Sequence, residues 1–69
     1  MAAASSAELS RADLDLLRLL ADGLPLATIA RRLEVSERTV RRRLRSICKR
    51  LGLSVPIQAV VWAARRGLL

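Results

Sequence analysis

The chain has 69 residues, with thirteen Lys and Arg against six Asp and Glu and a formal charge of +7. This length allows at most one small domain, and this basicity makes nucleic acid or an anionic membrane surface the expected partner. One Cys and no His exclude an internal disulfide, a zinc finger and a Cys/His nucleophile pair, so we expect no metal and no cofactor.

The composition favours an all-α fold. Apolar residues make up 52% of the chain but only one residue is aromatic, so the core must consist of Leu, Ile, Val and Ala, which suits helices packed on helices. Residues 1–8 are rich in Ala and Ser and read as a disordered arm or linker remnant, and residues 9–69 as the domain. No run of 18 apolar residues and no export signal is present, so we expect neither membrane spanning nor export, and a cytoplasmic protein. Binding to a membrane surface is not expected either, because the apolar stripe opposite Arg42 is slender and aliphatic, whereas membrane-binding helices usually place Trp, Phe and Leu opposite their cations.

The first two helices carry clear boundary signals. Ser10 is a predicted N-cap with Asp13 three residues later, and Gly23 ends the first helix. The second helix begins near Pro25 and runs to about residue 33. The predicted buried positions of these two helices are Leu14, Leu17, Leu20, Ala21, Ile29, Ala30 and Leu33.

The third helix, about residues 36–51, separates its apolar and cationic residues. After a turn of sequence LEVS, Ser36 is the predicted N-cap. The apolar positions fall within about 100° on the helical wheel and are Val40, Leu44, Ile47, Cys48 and Leu51. The opposite side carries Arg38, Arg42, Arg45 and Lys49, with Thr39 and Ser46 beside them and Arg41, Arg43 and Arg50 on the shoulders. Like charges at this spacing destabilise a helix, so a polyanionic partner is expected.

The fourth helix, about residues 54–67, is apolar on two sides. Ser54 is its predicted N-cap and Gly67 its end. We assign one stripe to the core: Leu53, Ile57, Val60, Val61, Ala64 and Leu68. The other stripe then needs a second surface to cover it: Val55, Ala59, Trp62 and Ala63. For Trp62 a core position and an interface position remain equally open.

The second and third helices are joined by a turn of about three residues, and the third is basic. This arrangement is typical of a DNA-binding helix-turn-helix. Twelve of the thirteen cations are Arg, whose planar group binds phosphates and guanine edges in pairs of hydrogen bonds. The alternatives are a four-helix domain with a merely solvated basic face, and an adaptor that binds another protein. No acid/base or nucleophile arrangement is present, so we expect no enzyme activity.

The segments LLRLLADGL, IARRLEVSERTV, LGL and QAVVWAARRGLL together resemble the LuxR-type helix-turn-helix domain of bacterial transcription regulators. The resemblance implies a four-helix fold, with the third helix in the major groove and the fourth as the dimer contact. We assign that contact to the second apolar stripe: Val55, Ala59, Trp62 and Ala63. The resemblance also implies sequence-specific binding to double-stranded DNA by a homodimer. One helix pair buries little area, so we expect the dimer to be weak off DNA, and RNA polymerase is a further predicted partner.

Site residues follow from the resemblance and the basic face. The family's base-contacting positions correspond to Arg41, Arg42 and Arg45, and Thr39 to a phosphate-binding position; we add Arg38 as a base contact. The further predicted phosphate contacts are Arg31, Arg32, Ser36, Arg43, Ser46, Lys49 and Arg50. The family often has Lys-Thr-His after its Thr-Val pair, whereas this chain has Arg41, Arg42 and Arg43 there. The family's base preference therefore does not carry over to this chain.

Overall fold

The computed structural model describes residues 9–69, and this part of the chain is all-α, as expected. The predicted arm at residues 1–8 lies outside the described residues. Four helices follow one another, numbered here α1 to α4: Arg11–Ala21, Leu26–Leu33, Glu37–Leu51 and Pro56–Arg65.

The predicted start of α1 is confirmed. The Ser10 hydroxyl accepts a hydrogen bond from the Asp13 N–H at 3.1 Å, and the Asp13 carboxylate accepts one from the Ser10 N–H at 3.0 Å. The buried face differs from the prediction, because Leu16 and Leu17 are buried while Ala21 is exposed. Since α1 packs against both α2 and α4, its buried arc is turned toward Leu16.

A tight turn connects α2 to α3. Glu34 adopts a left-handed conformation with φ 57° and ψ 43°, which costs a non-glycine residue about 1 kcal/mol. The turn is closed by the Val35 N–H, which donates to the Ala30 carbonyl at 3.0 Å. The Ser36 hydroxyl then accepts from the Thr39 N–H at 3.0 Å, so the predicted N-cap of α3 is confirmed.

The predicted core face of α3 is confirmed as well. Val40, Leu44, Ile47 and Cys48 are buried, and Leu51 packs at the edge of the same cluster. Burial raises the pKa of the Cys48 thiol, which therefore stays neutral and serves as a small core side chain.

The prediction for the two faces of α4 is only partly correct. Val60 is buried as predicted, but three other positions of its stripe are exposed and the two alanines of the opposite stripe are buried. Ala59 and Ala63 are fully buried, whereas Ile57 is 62% and Val61 43% exposed. Small side chains let α4 approach α1 and α3 closely, and this packing decides which apolar stripe faces inward. Assigning Ala59 and Ala63 to a dimer contact was therefore wrong, because both are covered within one chain.

The start of α4 also differs from the prediction. Val55, not Ser54, is the N-cap, and Pro56 is the first helical residue. The missing side-chain cap is replaced by Gln58, whose Oε1 accepts from the N–H groups of Ser54 at 2.8 Å and Val55 at 3.2 Å. These bonds satisfy backbone donors that the helix itself leaves unpaired.

An ion pair joins the start of α1 to the end of α3. Arg50 Nη1 lies 3.0 Å from Asp13 Oδ2, and the Asp13 side chain is only 14% exposed. Partial burial alone would raise the pKa of this carboxyl, but the hydrogen bond from the Ser10 N–H and the charge and hydrogen bond of Arg50 bring the pKa below its ordinary value. The ionised carboxylate therefore favours the folded state.

We expect Ala63→Glu to destabilise the fold by more than about 3 kcal/mol, because it places a larger, charged side chain in a filled core. Ala64→Glu is the matched control, since Ala64 is exposed on the same helix. Urea unfolding of both variants checks this, and an unfolding midpoint of Ala63→Glu equal to that of the control would show that Ala63 is not in the core.

Asp13→Asn should lower the free energy of unfolding by about 1 kcal/mol at pH 7, allowing for solvent screening of the half-exposed Arg50. Because the folded-state pKa of Asp13 is lowered, the stabilisation is complete above the unfolded pKa of about 3.9 and is lost as pH falls through the folded value. Unfolding curves from pH 7 to pH 2 should therefore converge. A difference that persists at pH 2 would contradict an ionic origin, and Asp15→Asn serves as the exposed control.

Candidate nucleic-acid interface

The outward face of α3 is a continuous cationic surface, called the ridge below and formed by Arg38, Arg42, Arg45 and Lys49. All four side chains are exposed, on the side opposite the buried stripe. At 100° per residue they lie within an arc of about 60°, and at 1.5 Å per residue they span about 16 Å. A helix with such a face has the diameter to enter a B-DNA major groove about 12 Å wide.

One shoulder of the ridge borders a recess of about 580 Å³. Its cationic side is formed by α3, and its floor is apolar and reaches α2 and the start of α4. The lining residues are Leu26, Arg41, Leu44, Arg45, Cys48, Lys49, Leu53, Ser54 and Pro56, with no acidic residue among them. The recess brings the exposed Ser54 next to the predicted base contacts Arg41 and Arg45. Sequence reasoning had assigned Ser54 to a helix cap and so missed it as a polar group on this side.

Hydroxyl groups lie at the N-terminal end of α3. The Ser36 hydroxyl, which caps the helix, also donates to Thr39 Oγ1 at 3.0 Å. Ser36 is exposed and Thr39 half-buried. Their hydroxyls lie beside the helix N-terminus, where the backbone dipoles favour an anion. The predicted contacts Ser46 and Arg43 are exposed further along α3.

Two predicted phosphate contacts lie on another helix. Arg31 and Arg32 are exposed in the last turn of α2, where cations also complement the negative end of the helix dipole. They are not part of the ridge. A phosphate contact and an interaction with the helix dipole would each explain their positions.

Arg50 differs from the other cations of α3. Its guanidinium is paired with Asp13 at 3.0 Å, and its Nε donates to the Ser46 carbonyl at 3.4 Å. This pairing holds α3 against α1 and speaks against the predicted phosphate contact. The pairing joins residues far apart in the sequence, so helical spacing gave no signal for it.

Arg41 is the other paired arginine of the helix. Its Nη2 lies 3.5 Å from Glu37 Oε1, one helical turn earlier, and both side chains remain about half exposed. These are the two ion pairs in the described part of the chain. Arg41 is paired near the N-terminal end of α3, and Arg50 near its C-terminal end.

A second exposed surface lies on α4, and it is apolar. We call it the α4 face and define it by Ile57, Val61 and Ala64, which are all exposed and lie at helical spacing. Of the predicted dimer residues, only Val55 is comparably exposed, at 46%.

Trp62 lies at the edge of the core. It is half-buried against the apolar cluster, the Arg66 guanidinium lies 4.1 Å from its ring centroid, and Arg66 Nη1 donates to the Trp62 carbonyl at 3.1 Å. The ring is thus held between the core and a cation, which favours the core alternative for Trp62.

No helix among residues 9–69 is long and apolar enough to cross a membrane. In the same part of the chain, no group of three or more acidic or Cys side chains is arranged to hold a metal ion.

Comparison with known proteins agrees with this geometry. Residues 7–63 match the model of the family described as bacterial regulatory proteins, luxR family. The nitrate/nitrite response regulator protein NarL of Escherichia coli is 38% identical over 55 residues, which are 80% of this chain and 26% of NarL. The transcriptional regulatory protein YdfI of Bacillus subtilis is 40% identical over 62 residues, 90% of this chain and 29% of YdfI.

A third relative is the putative HTH-type transcriptional regulator Rv0890c of Mycobacterium tuberculosis, 47% identical over 53 residues, which are 77% of this chain and 6% of that protein. No solved structure matches the chain significantly. The chain thus spans less than a third of the length of these curated relatives. Because the family match covers most of its residues and includes the whole helix-turn-helix, the chain belongs to the luxR family of bacterial regulatory proteins.

Proposed function

We propose that the chain binds double-stranded DNA in a sequence-specific manner and regulates transcription in the bacterial cytoplasm, with α3 as the recognition helix. The observation that carries the proposal is the ridge: four exposed cations on one arc of a helix whose opposite face is buried. A helix anchored in this way can present its cations to a groove without losing its own packing.

The proposed contacts divide by their position along α3. Recognition helices of this type contact base edges with their N-terminal part, which assigns base reading to Arg38, Arg41, Arg42 and Arg45. Lys49 lies near the C-terminal end and is assigned to a phosphate, together with Ser36, Thr39, Arg43 and Ser46. Arg31 and Arg32 stay as proposed phosphate contacts from α2, and Ser54 is added from the recess. Arg50 is assigned to the ion pair with Asp13.

The proposed homodimer contact is the α4 face, in place of the buried alanines. Ile57 and Val61 are large, apolar and exposed, and pairing two such faces across a two-fold axis would remove them from water. One helix pair buries little area, so the dimer should be weak in solution and form mainly on DNA. Its preferred target is an inverted repeat with half-sites about 10 bp apart. Contact with RNA polymerase stays a prediction.

An adaptor that binds another protein is the second candidate, and the α4 face is the observation that favours it. Selection of bound duplexes from a random pool separates the two. A DNA-binding protein should enrich one sequence, and its affinity should fall steeply as salt is raised. No enrichment above the starting pool would leave the adaptor as the better account.

Arg42→Ala should weaken binding to the selected duplex by about 1 to 3 kcal/mol and relax the preference at one base pair, because a guanidinium can bind both acceptors of a guanine edge. Lys49→Ala is the comparison variant. It should weaken all sequences alike and reduce the salt slope by about one. Titrations with single-base-pair variants of the selected duplex measure the affinity and the base preference of both protein variants. A base-specific effect of Lys49→Ala would contradict the proposed placement of α3 in the groove.

Val61→Glu should abolish cooperative loading of two copies on the inverted repeat and leave half-site binding nearly intact, because the added charges meet at the proposed two-fold axis. The fold should be unaffected, since Val61 is exposed on α4. Arg65→Gln, at an exposed position of the same helix outside the α4 face, lowers the net charge by the same amount and serves as the control. Native mass spectrometry on full-site and half-site duplexes gives the stoichiometry. Undiminished cooperativity in Val61→Glu would exclude this face as the dimer contact.

A further inference from the structure

Glu37 is the one acidic residue of the recognition helix, and it lies beside an arginine assigned to base reading. Its Oε1 is 3.5 Å from Arg41 Nη2, with the acid one turn toward the N-terminus, which is the favourable orientation for such a pair. The two side chains are 46% and 58% exposed. An ion pair this exposed contributes little to stability, so its effect is to be sought in DNA binding.

We propose that Glu37 is a positioning residue that sets sequence specificity: it restrains Arg41 so that this arginine binds a base edge and not a phosphate. The inference rests on the proposed function, in which Arg41 faces the major groove. It adds a role for an acidic residue on a helix whose other outward charges are all positive.

The restraint follows from the donors of arginine. A guanidinium has five N–H donors, and the pair with Glu37 is made through Nη2 alone, so the remaining donors can still bind a guanine edge. If Arg41 instead turned toward a phosphate, Glu37 would lose its partner and leave an uncompensated negative charge near a polyanion. Repulsion between unit charges about 8 Å apart in water is worth roughly a two- to threefold change in affinity. Phosphate binding is penalised in this way, and guanine binding is not.

A helix this rich in arginine binds any duplex unless some of its arginines are restrained. The ridge residues make no ion pair among residues 9–69, so they are available to bind the backbone of any duplex. Backbone binding carries no sequence information. Restraining one base-reading arginine lowers non-specific affinity and leaves specific affinity nearly unchanged.

Glu37→Gln in the 69-residue chain tests the proposal, with two probes: the duplex selected from the random pool and a scrambled duplex of the same length and composition. Affinity for the scrambled duplex should rise roughly threefold, and the slope of log K against log salt should steepen by about 0.9 as Arg41 becomes free to bind a phosphate. The ratio of the two affinities should fall. The thermal midpoint should fall by only a few degrees, because Glu37 lies in the first turn of α3 and its charge complements the helix dipole there. A shift this small separates the effect from a loss of fold.

Glu34→Gln is the matched control, because Glu34 is exposed and makes no ion pair in the described part of the chain. If Glu34→Gln lowers the ratio as much as Glu37→Gln, net charge is the cause and the proposal is overturned. In an Arg41→Ala background, Glu37→Gln should leave the ratio unchanged, and a remaining effect would also overturn the proposal. If the unsubstituted chain binds the selected and the scrambled duplex equally well, the proposed function itself is wrong. If the unsubstituted chain prefers the selected duplex and Glu37→Gln does not change that preference, only the role of Glu37 is wrong.

Discussion

The fold depends on one constraint, which is that α3 buries its apolar face and leaves its cationic face exposed. Val40, Leu44 and Ile47 fix the helix to the core, and α2 and α4 pack against it. Because the buried face is continuous, rotation of α3 about its axis would expose several large apolar side chains at once. The direction of the cationic ridge is therefore determined by packing within the chain.

Like charges on α3 oppose this arrangement, and the chain offsets part of the repulsion at the two ends of the helix. Glu37 pairs with Arg41 at the N-terminal end, and Asp13, from α1, pairs with Arg50 near the C-terminal end. The two pairs differ in kind. The first is exposed and local, so it adds little to the stability of the fold; the second joins two helices and is partly buried, so it belongs to the fold. The ridge residues between these pairs form no ion pair in the described part of the chain, so their charges remain uncompensated.

The sequence predicted most of what depends on local spacing, although the cap of α4 was assigned to Ser54 and lies at Val55. The caps at Ser10 and Ser36 and the buried stripe of α3 were all predicted correctly, because each depends on residues within a few positions of one another. The orientation of α4 could not be predicted in this way. Both of its stripes are apolar, and the choice between them depends on how closely Ala59 and Ala63 let the helix approach its neighbours. The Asp13–Arg50 pair was missed because it depends on how the ends of two helices meet in three dimensions.

The central claim is that the ridge of α3 reads guanine edges in the major groove. The most direct measurement is the affinity of the 69-residue chain for its selected duplex when guanines are replaced, one at a time, by 7-deazaguanine, which lacks the N7 acceptor of that groove but keeps base pairing and the minor-groove edge. The account predicts that one or more replacements within each half-site weaken binding by about tenfold, in line with the loss of a paired hydrogen bond. Unchanged affinity at every guanine would contradict major-groove readout by these arginines.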